Sequence, residues 1–90
     1  MTTIPMNFCD CNYNRINLTD HTLIYSFIGW REGRSEHTTR YRQKVTVITA
    51  DGRKESRFYT QRGDEFCRYR MHDEYEYLCR KLNITPCGLE

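Results

Sequence analysis

Ninety residues allow one compact domain and exclude a second independent hydrophobic core. Leu, Ile, Val and Phe make up only 17 residues, but seven Tyr, one Trp and five Cys add side chains that a core can bury. The charges nearly balance, at 14 Lys and Arg against 12 Asp and Glu. We therefore expect residues 1–90 to form a single folded domain rather than a disordered chain.

The first part of the chain predicts strands and loops. Residues 1–20 combine alternating apolar positions between Ile4 and Phe8 with polar residues, a pattern typical of an irregular segment or a short edge strand. The run Thr22–Trp30 is almost continuously apolar and rich in β-branched and aromatic side chains, so it predicts a central strand. The polar run 31–37 predicts a connecting loop.

Residues 38–61 predict a β-hairpin, because two strand-like runs flank Asp51 and Gly52, a pair favoured in two-residue turns. A two-residue turn would pair Val45 with Phe58 and sort the side chains onto two faces. The predicted core side carries Gln43, Val45, Val47, Thr49, Ser56 and Phe58. The predicted opposite side carries Arg40, Arg42, Lys44, Thr46, Ile48, Arg57 and Tyr59.

The hydrophobic period lengthens towards that of a helix after residue 64, which predicts a helix over 64–82. Asp64 and Glu65 in its first turn, and Arg80 and Lys81 in its last, match the helix dipole. The predicted buried stripe consists of Cys67, Met71, Tyr75, Leu78 and Leu82. Asn83 and the sequence Pro86-Cys87-Gly88 indicate the end of the helix.

These elements predict an α+β fold. We expect a small antiparallel sheet of three or four strands over residues 22–61, with the C-terminal helix packed on one face. Residues 1–20 lack the basic start and apolar run of a signal peptide, and no segment approaches the roughly 18 apolar residues of a membrane helix. We therefore expect a cytoplasmic protein that does not bind membranes, with its cysteines reduced because five cannot all pair with one another.

The basic strand of the hairpin is the first candidate binding site. Arg40, Arg42 and Lys44 alternate, so a strand would point all three to the same side, beside Arg57 and Tyr59 in the predicted register. Arginine binds phosphate or carboxylate through paired hydrogen bonds, and tyrosine offers a stacking surface. A solvated sheet face, an acidic protein partner and single-stranded nucleic acid all fit this pattern. The pI of 8.3 favours a protein partner, because nucleic-acid binders usually exceed about 9.

The outer side of the predicted helix is the second candidate. It carries Phe66, Tyr69, Asp73, Tyr77 and Arg80. Exposed Tyr and Arg dominate the binding energy of many interfaces, so Tyr69 and Tyr77 are predicted partner contacts. A rotated helix, or residues 1–20 folded over this side, would bury the same rings instead. A homodimer is another use for them, because a core of this size gives little stability by itself.

Catalytic and metal signatures are weak. His21, His37 and His72 each follow or precede an acidic residue, but adjacency in sequence does not aim two side chains at each other. The chain has no nucleophile elbow and no phosphate-binding loop, and its Cys and His spacings fit no zinc pattern. We therefore predict no catalytic residues, no bound metal and no cofactor.

The single alanine and the abundant Asn, Ile and Tyr are typical of small bacteriophage or mobile-element proteins. The predicted function is accordingly non-enzymatic. We expect the protein to inhibit or modulate a host protein with an acidic or nucleic-acid-binding surface, such as a defence nuclease, by covering that surface. The alternative is a nucleic-acid-binding protein that uses the basic sheet face.

Overall fold

The computed structural model describes residues 3–5, 13–35, 37–63 and 68–90, and its strands and helix confirm the predicted α+β fold. One antiparallel sheet consists, in spatial order, of β2 (Tyr13–Asn17), β3 (His21–Arg31), β4 (Arg40–Thr49) and β5 (Lys54–Arg62). The helix α1 (Arg68–Leu82) packs against β4 and β5. A short parallel pair joins β1 (Thr3–Ile4) to β6 (Gly88–Leu89). We call the sheet side towards α1 the helix face and the other side the open face.

The apolar run that predicted a central strand forms β3, which lies between β2 and β4. Leu23 and Tyr25 are fully buried on the helix face, whereas Thr22 and Ile24 are half-buried on the open face. An interior strand that is at least partly covered on both sides can be apolar at consecutive positions, which explains why the run does not alternate.

The loop between β4 and β5 has three residues, 50–52, instead of the two expected. The N–H of Gly52 donates to the carbonyl of Thr49 at 3.0 Å, and the N–H of Thr49 donates to the carbonyl of Arg53 at 2.8 Å. Gly52 has a φ of 94°, a conformation that glycine adopts readily and that three-residue hairpin loops use at their last position. The sequence Asp51-Gly52 therefore predicted the position of the turn correctly, but the predicted loop length of two residues is wrong.

The extra loop residue changes the hairpin register by one, so the predicted pairing of Val45 with Phe58 is wrong. Val45 lies opposite Arg57, and Lys44 lies opposite Phe58. A one-residue shift moves every side chain of a strand to the other face. The faces predicted for β4 are correct, but those predicted for β5 are reversed: Tyr59 faces the helix, and Phe58 lies on the open face.

The helix buries the stripe predicted from the sequence. Met71, Tyr75, Leu78 and Leu82 are all at most 5% exposed, while Cys67 lies outside the described residues. The expected acidic first turn at 64–65 also lies outside them.

The helix ends where the sequence indicated. Asn83 has a φ of 58°, and its N–H donates to the carbonyl of Arg80 at 3.2 Å. The next N–H, from Ile84, donates to the carbonyl of Cys79 at 3.0 Å. These two hydrogen bonds form a Schellman motif, which satisfies carbonyls that the last helical turn leaves without partners.

Residues near the termini complete the fold in ways that the local pattern did not predict. The strand β2 pairs with residues 22–26 of β3 as an edge strand, although its polar sequence shows little alternation. Ile4 is fully buried in the core, and its carbonyl accepts the N–H of Glu90 at 2.8 Å. The expected strand positions beyond Pro5 lie outside the described residues. No helix in the described ranges is long and apolar enough to span a membrane.

Candidate functional site

Every charged side chain that the described strands place on the open face is basic. Alternation in the observed register assigns side chains to this face, and most of its basic side chains are exposed. Its basic members are Arg15, Arg31, Arg40, Arg42, Lys44, Lys54 and Arg62. The described acidic residues lie elsewhere, in loops, on α1, on the helix face of β5 or at the C-terminus: Asp20, Glu32, Asp51, Glu55, Asp73, Glu74, Glu76 and Glu90. The near-neutral net charge therefore hides a strongly one-sided distribution.

Three arginines lie side by side across the end of the open face. Arg31 pairs with Arg40, and Arg40 pairs with Arg62, so the row crosses three neighbouring strands. Neighbouring strands are about 4.8 Å apart, so the three arginines lie close together at this end of the open face. An anion placed over this row would face several basic side chains at once.

Aromatic rings flank the basic side chains on the same face. Phe58 is 51% exposed, and its ring centroid lies 5.2 Å from Cζ of Arg42 and 5.3 Å from Nζ of Lys44. Tyr13, 58% exposed, lies at the opposite end of the row formed with Ser26, Lys44 and Phe58. Three strand spacings place the backbones of these two residues about 14 Å apart. Lys44 therefore lies between two exposed aromatic residues in this row.

Arg57 and Tyr59 do not belong to this surface, contrary to the sequence prediction. The corrected register places both on the helix face. Arg57 forms an ion pair with Glu74, and its Cζ lies 4.2 Å from the ring centroid of Tyr77. Tyr59 is only 6% exposed, beneath Arg70. The structure does bring Arg40, Arg42 and Lys44 together, with Phe58 beside them.

The outer side of α1 exposes the two predicted tyrosines. Tyr69 is 62% exposed and Tyr77 is 38% exposed. Arg57 and Lys81 approach the ring of Tyr77, with Nζ of Lys81 5.9 Å from its centroid. Phe66 lies outside the described residues. The prediction of which side of the helix is exposed is therefore correct. Tyr77 also contacts Arg57 of β5, so its ring belongs in part to the packing of α1 on the sheet.

A hydrogen-bond chain connects Asp20, His21, Tyr75 and Cys87 inside the protein. Nδ1 of His21 lies 2.5 Å from the carboxylate of Asp20, and Nε2 lies 2.7 Å from the hydroxyl of Tyr75. That hydroxyl also accepts the N–H of Cys87 at 2.7 Å. The imidazole is fully buried and both of its nitrogens have protein partners. This chain attaches the C-terminal segment to α1 and β3 and has no open position for a substrate.

The buried hydroxyl and thiol beside this chain are poor nucleophiles. Burial raises the pKa of Tyr75 far above its usual range, and burial also raises the pKa of Cys79 to about 11. Because the thiolate is the reactive form of cysteine, Cys79 is protonated and unreactive at neutral pH. Neither the hydroxyl of Tyr75 nor the thiol of Cys79 is therefore an activated nucleophile.

A cluster of potential metal ligands is present on the helix, where the ligand atoms of His72, Asp73 and Glu76 lie within 4.8 Å of one another. Both ring nitrogens of His72 already have partners. Nδ1 lies 2.8 Å from Glu76, and Nε2 lies 2.8 Å from the carbonyl of Cys87. A metal held by His72 and Glu76 would have to replace the direct contact between the two side chains. Three of the five cysteines, Cys9, Cys11 and Cys67, lie outside the described residues.

Comparison with protein-family models, with curated proteins and with solved structures finds no match. The functional argument therefore depends on the geometry of the chain itself.

Sequence reasoning missed several contributors to the open face, namely Tyr13, Arg15, Lys54, Phe58 and Arg62. One sequence signal could have found those on β5. A three-residue loop ending in Gly52 would have exchanged the two faces of β5. Pairing of residues 13–17 with β3 would have added Tyr13 and Arg15, but their local sequence does not specify that pairing.

Proposed function

We propose that this protein is a non-enzymatic binding protein whose open face binds single-stranded nucleic acid. The observation that carries the proposal is an acid-free sheet face, within the described residues, on which Arg31, Arg40 and Arg62 lie in a row. Phosphates neutralise such a row and release counterions, which is the main source of affinity in nucleic-acid binding. The sequence-based preference for a protein partner came from overall pI, a quantity that averages the two sides of the molecule.

The rings on this face favour single strands over duplexes. Phe58 and Tyr13 are both more than half exposed on the open face, and Arg42 and Lys44 lie close to the ring of Phe58. Unpaired bases can stack on such rings, whereas the bases of a duplex are stacked on one another and cannot reach them. In the described part of the chain the helix α1 packs on the opposite side of the sheet, so the open face itself presents no helix to a major groove.

The proposal predicts salt-dependent binding of an oligothymidylate of about 15 nucleotides, measured by fluorescence anisotropy against a duplex of equal length. We expect tighter binding of the single strand. Arg42→Gln should weaken binding and lower the magnitude of the log–log salt slope by about 0.7 for each phosphate that the variant no longer neutralises. Arg80→Gln is the matched control, since it changes the net charge equally at an exposed position on the helix.

Three outcomes would count against this function. Absence of an anisotropy change with either nucleic acid at low salt would exclude it. Equal weakening by Arg42→Gln and Arg80→Gln would assign the effect to net charge rather than to the open face. Equal competition by polyglutamate would indicate an acidic protein partner, because that polymer supplies charge without bases.

The second candidate is docking of the helix onto a host protein, which the protein would inhibit or modulate. Its support is the exposure of Tyr69 and Tyr77 on the outer side of α1. Under this function, Tyr69→Ala would reduce affinity for the host protein by more than about 1 kcal/mol, and Arg42→Gln would have little effect. The two candidate functions thus depend on opposite sides of the molecule and on different variants.

A further inference from the structure

Three potential metal ligands lie together on α1, beside the C-terminal segment. His72 and Glu76 are four residues apart and therefore share one side of the helix, and Asp73 follows His72 directly. One ligand atom from each of the three lies within 4.8 Å of the others, and the described ranges contain no second group of this kind. The helix thus brings one imidazole and two carboxylates to a single place.

A hydrogen bond on the far side of the imidazole determines which ring nitrogen can bind a metal. Nε2 of His72 lies 2.8 Å from the backbone carbonyl of Cys87, an oxygen that can only accept, so Nε2 carries the hydrogen. In the neutral ring, Nδ1 then presents a lone pair to the carboxylate of Glu76, 2.8 Å away. Two acceptors do not attract each other, so this contact requires a cation, either a proton on Nδ1 or a metal ion beside it.

We infer that His72, Asp73 and Glu76 bind a divalent transition-metal ion, with Nδ1 of His72 as the nitrogen ligand. A histidine that binds a metal through one ring nitrogen usually donates the other N–H to a backbone carbonyl, a carboxylate or water, which orients the ring. The hydrogen bond from Nε2 to Cys87 has this arrangement. Its acceptor belongs to another segment of the chain, so this bond is an observation separate from the proximity of the three ligands.

The site combines a fixed ring with accessible carboxylates. The side chain of His72 is only 12% exposed, and its hydrogen bond to Cys87 holds the ring in place. Glu76 is partly exposed and Asp73 is exposed, so an ion can enter from solvent. Nη1 of Arg80 lies 3.9 Å from the second carboxylate oxygen of Glu76, and such an exposed ion pair competes only weakly with a metal ion.

The distances and ligand types favour a small transition-metal ion such as Zn²⁺. Zinc lies about 2.0–2.2 Å from histidine nitrogen and carboxylate oxygen, so two of its ligand atoms are at most about 4.4 Å apart. Ligand atoms within 4.8 Å of one another therefore need only a small approach, which rotation of the exposed Asp73 side chain supplies. An imidazole ligand favours a transition metal over Mg²⁺ or Ca²⁺, which prefer oxygen ligands.

This site does not depend on the proposed function, because α1 packs on the side of the sheet opposite to the open face. It also differs from the zinc patterns considered in the sequence, which combine cysteine and histidine at fixed spacings. The prediction of no bound metal was based on those spacings, whereas this site combines one histidine with two carboxylates.

Titration of the full chain with Co²⁺ tests the site, because the absorption of Co²⁺ reports its ligands. We expect one equivalent to bind with the weak visible bands of nitrogen and oxygen ligation, and without the intense near-ultraviolet band that thiolate ligands produce. His72→Gln and Glu76→Gln should each lower the affinity at least about 10-fold, since even the loss of a residue that only orients a ligand costs about 10–100-fold. His37→Gln is the matched control, because it removes an exposed histidine outside the site.

Thermal unfolding gives a second readout. An ion that binds the folded protein alone raises its melting temperature, so Co²⁺ should raise that of the wild type and of His37→Gln but not that of His72→Gln. Asp73→Asn changes an exposed side chain, and its weaker Co²⁺ binding would support the site even where replacement of His72 disturbs the packing of the C-terminal segment.

Four results would overturn the inference. Absence of Co²⁺ binding at millimolar concentration would leave His72 and Glu76 as an ordinary ion pair. Binding that produces only the thiolate band would assign the ion to cysteines. Wild-type affinity in His72→Gln and Asp73→Asn, or an equal loss in His37→Gln, would place the ion elsewhere. Equal competition by Mg²⁺ would contradict a site built around an imidazole nitrogen.

Discussion

The two faces of the sheet use basic side chains in different ways. On the helix face, Arg57 and Arg70 both pair with Glu74, and Lys81 lies 3.8 Å from Glu55. On the open face, the described carboxylates form no ion pair with Arg40 or Arg42. Charges that are paired within the protein support its fold, whereas crowded charges of one sign oppose it.

The difference shows where the sequence of this protein departs from what folding alone requires. Arg31 lies directly opposite Arg40 on the open face, and like charges at opposite positions of neighbouring strands are destabilising. Such unfavourable features are typical of functional surfaces, because a bound partner compensates for them. The helix face, in contrast, combines buried apolar side chains with charges that are paired within the protein.

The largest expected effect is a difference in the free energy of unfolding between variants of two neighbouring residues that lie on opposite faces of the sheet. Tyr59→Ala should lower the free energy of unfolding by about 3–5 kcal/mol, because the ring is buried against the helix side. Phe58→Ala should change it by less than about 1 kcal/mol, because the ring is half exposed. Denaturant unfolding of both variants measures this contrast. The register first predicted from the sequence would give the opposite order, so a larger loss for Phe58→Ala would contradict the observed pairing.

A smaller effect is expected on binding. Phe58→Ala should weaken oligothymidylate binding by about 1–3 kcal/mol, because a base can no longer stack on the ring, and Phe58→Trp should preserve or improve binding. Anisotropy titrations at a fixed salt concentration measure both. Tyr69→Ala is the matched control, since it removes an exposed ring from the helix. A similar weakening in Tyr69→Ala would mean that the open face is not the binding surface.

The sequence specified those parts of the fold that have a strong hydrophobic period. Val45 and Val47 alternate with polar residues and fixed the faces of β4, and the spacing of Met71, Tyr75 and Leu78 fixed the orientation of the helix. The strand β5 carries polar or aromatic residues at nearly every position, so its faces depended entirely on the length of the preceding loop. Periodicity could not distinguish a two-residue loop from a three-residue loop.

The sequence predicted only those residues of the candidate site that lie on β4. Arg42 and Lys44 were placed correctly because their own strand alternates, whereas Phe58 was misplaced with the rest of β5. The contribution of β2 depends on pairing with β3, a contact between segments whose polar residues do not specify it. The register between β3 and β4 also shifts between Phe27 and Gly29, and the only local signal of that bulge is a single glycine within the apolar run.

The smallest expected effect concerns the loop that sets the register and hence the composition of both faces. Hydrogen bonds from Thr49 and Arg53 hold the pKa of Asp51 below its usual value of 3.8. Because the folded-state pKa is lowered, the ionised carboxylate stabilises the folded protein at neutral pH, and this contribution disappears as the pH falls from about 4 through the folded-state pKa.

Asp51→Asn should therefore lower the melting temperature slightly at pH 6, and the difference from wild type should shrink as the solution is acidified. Melting curves between about pH 6 and pH 2.5 measure the difference. A difference that is constant over this range would show that the charge of Asp51 contributes nothing to the loop, and that the three-residue turn depends on Gly52 and the backbone hydrogen bonds of Thr49 alone.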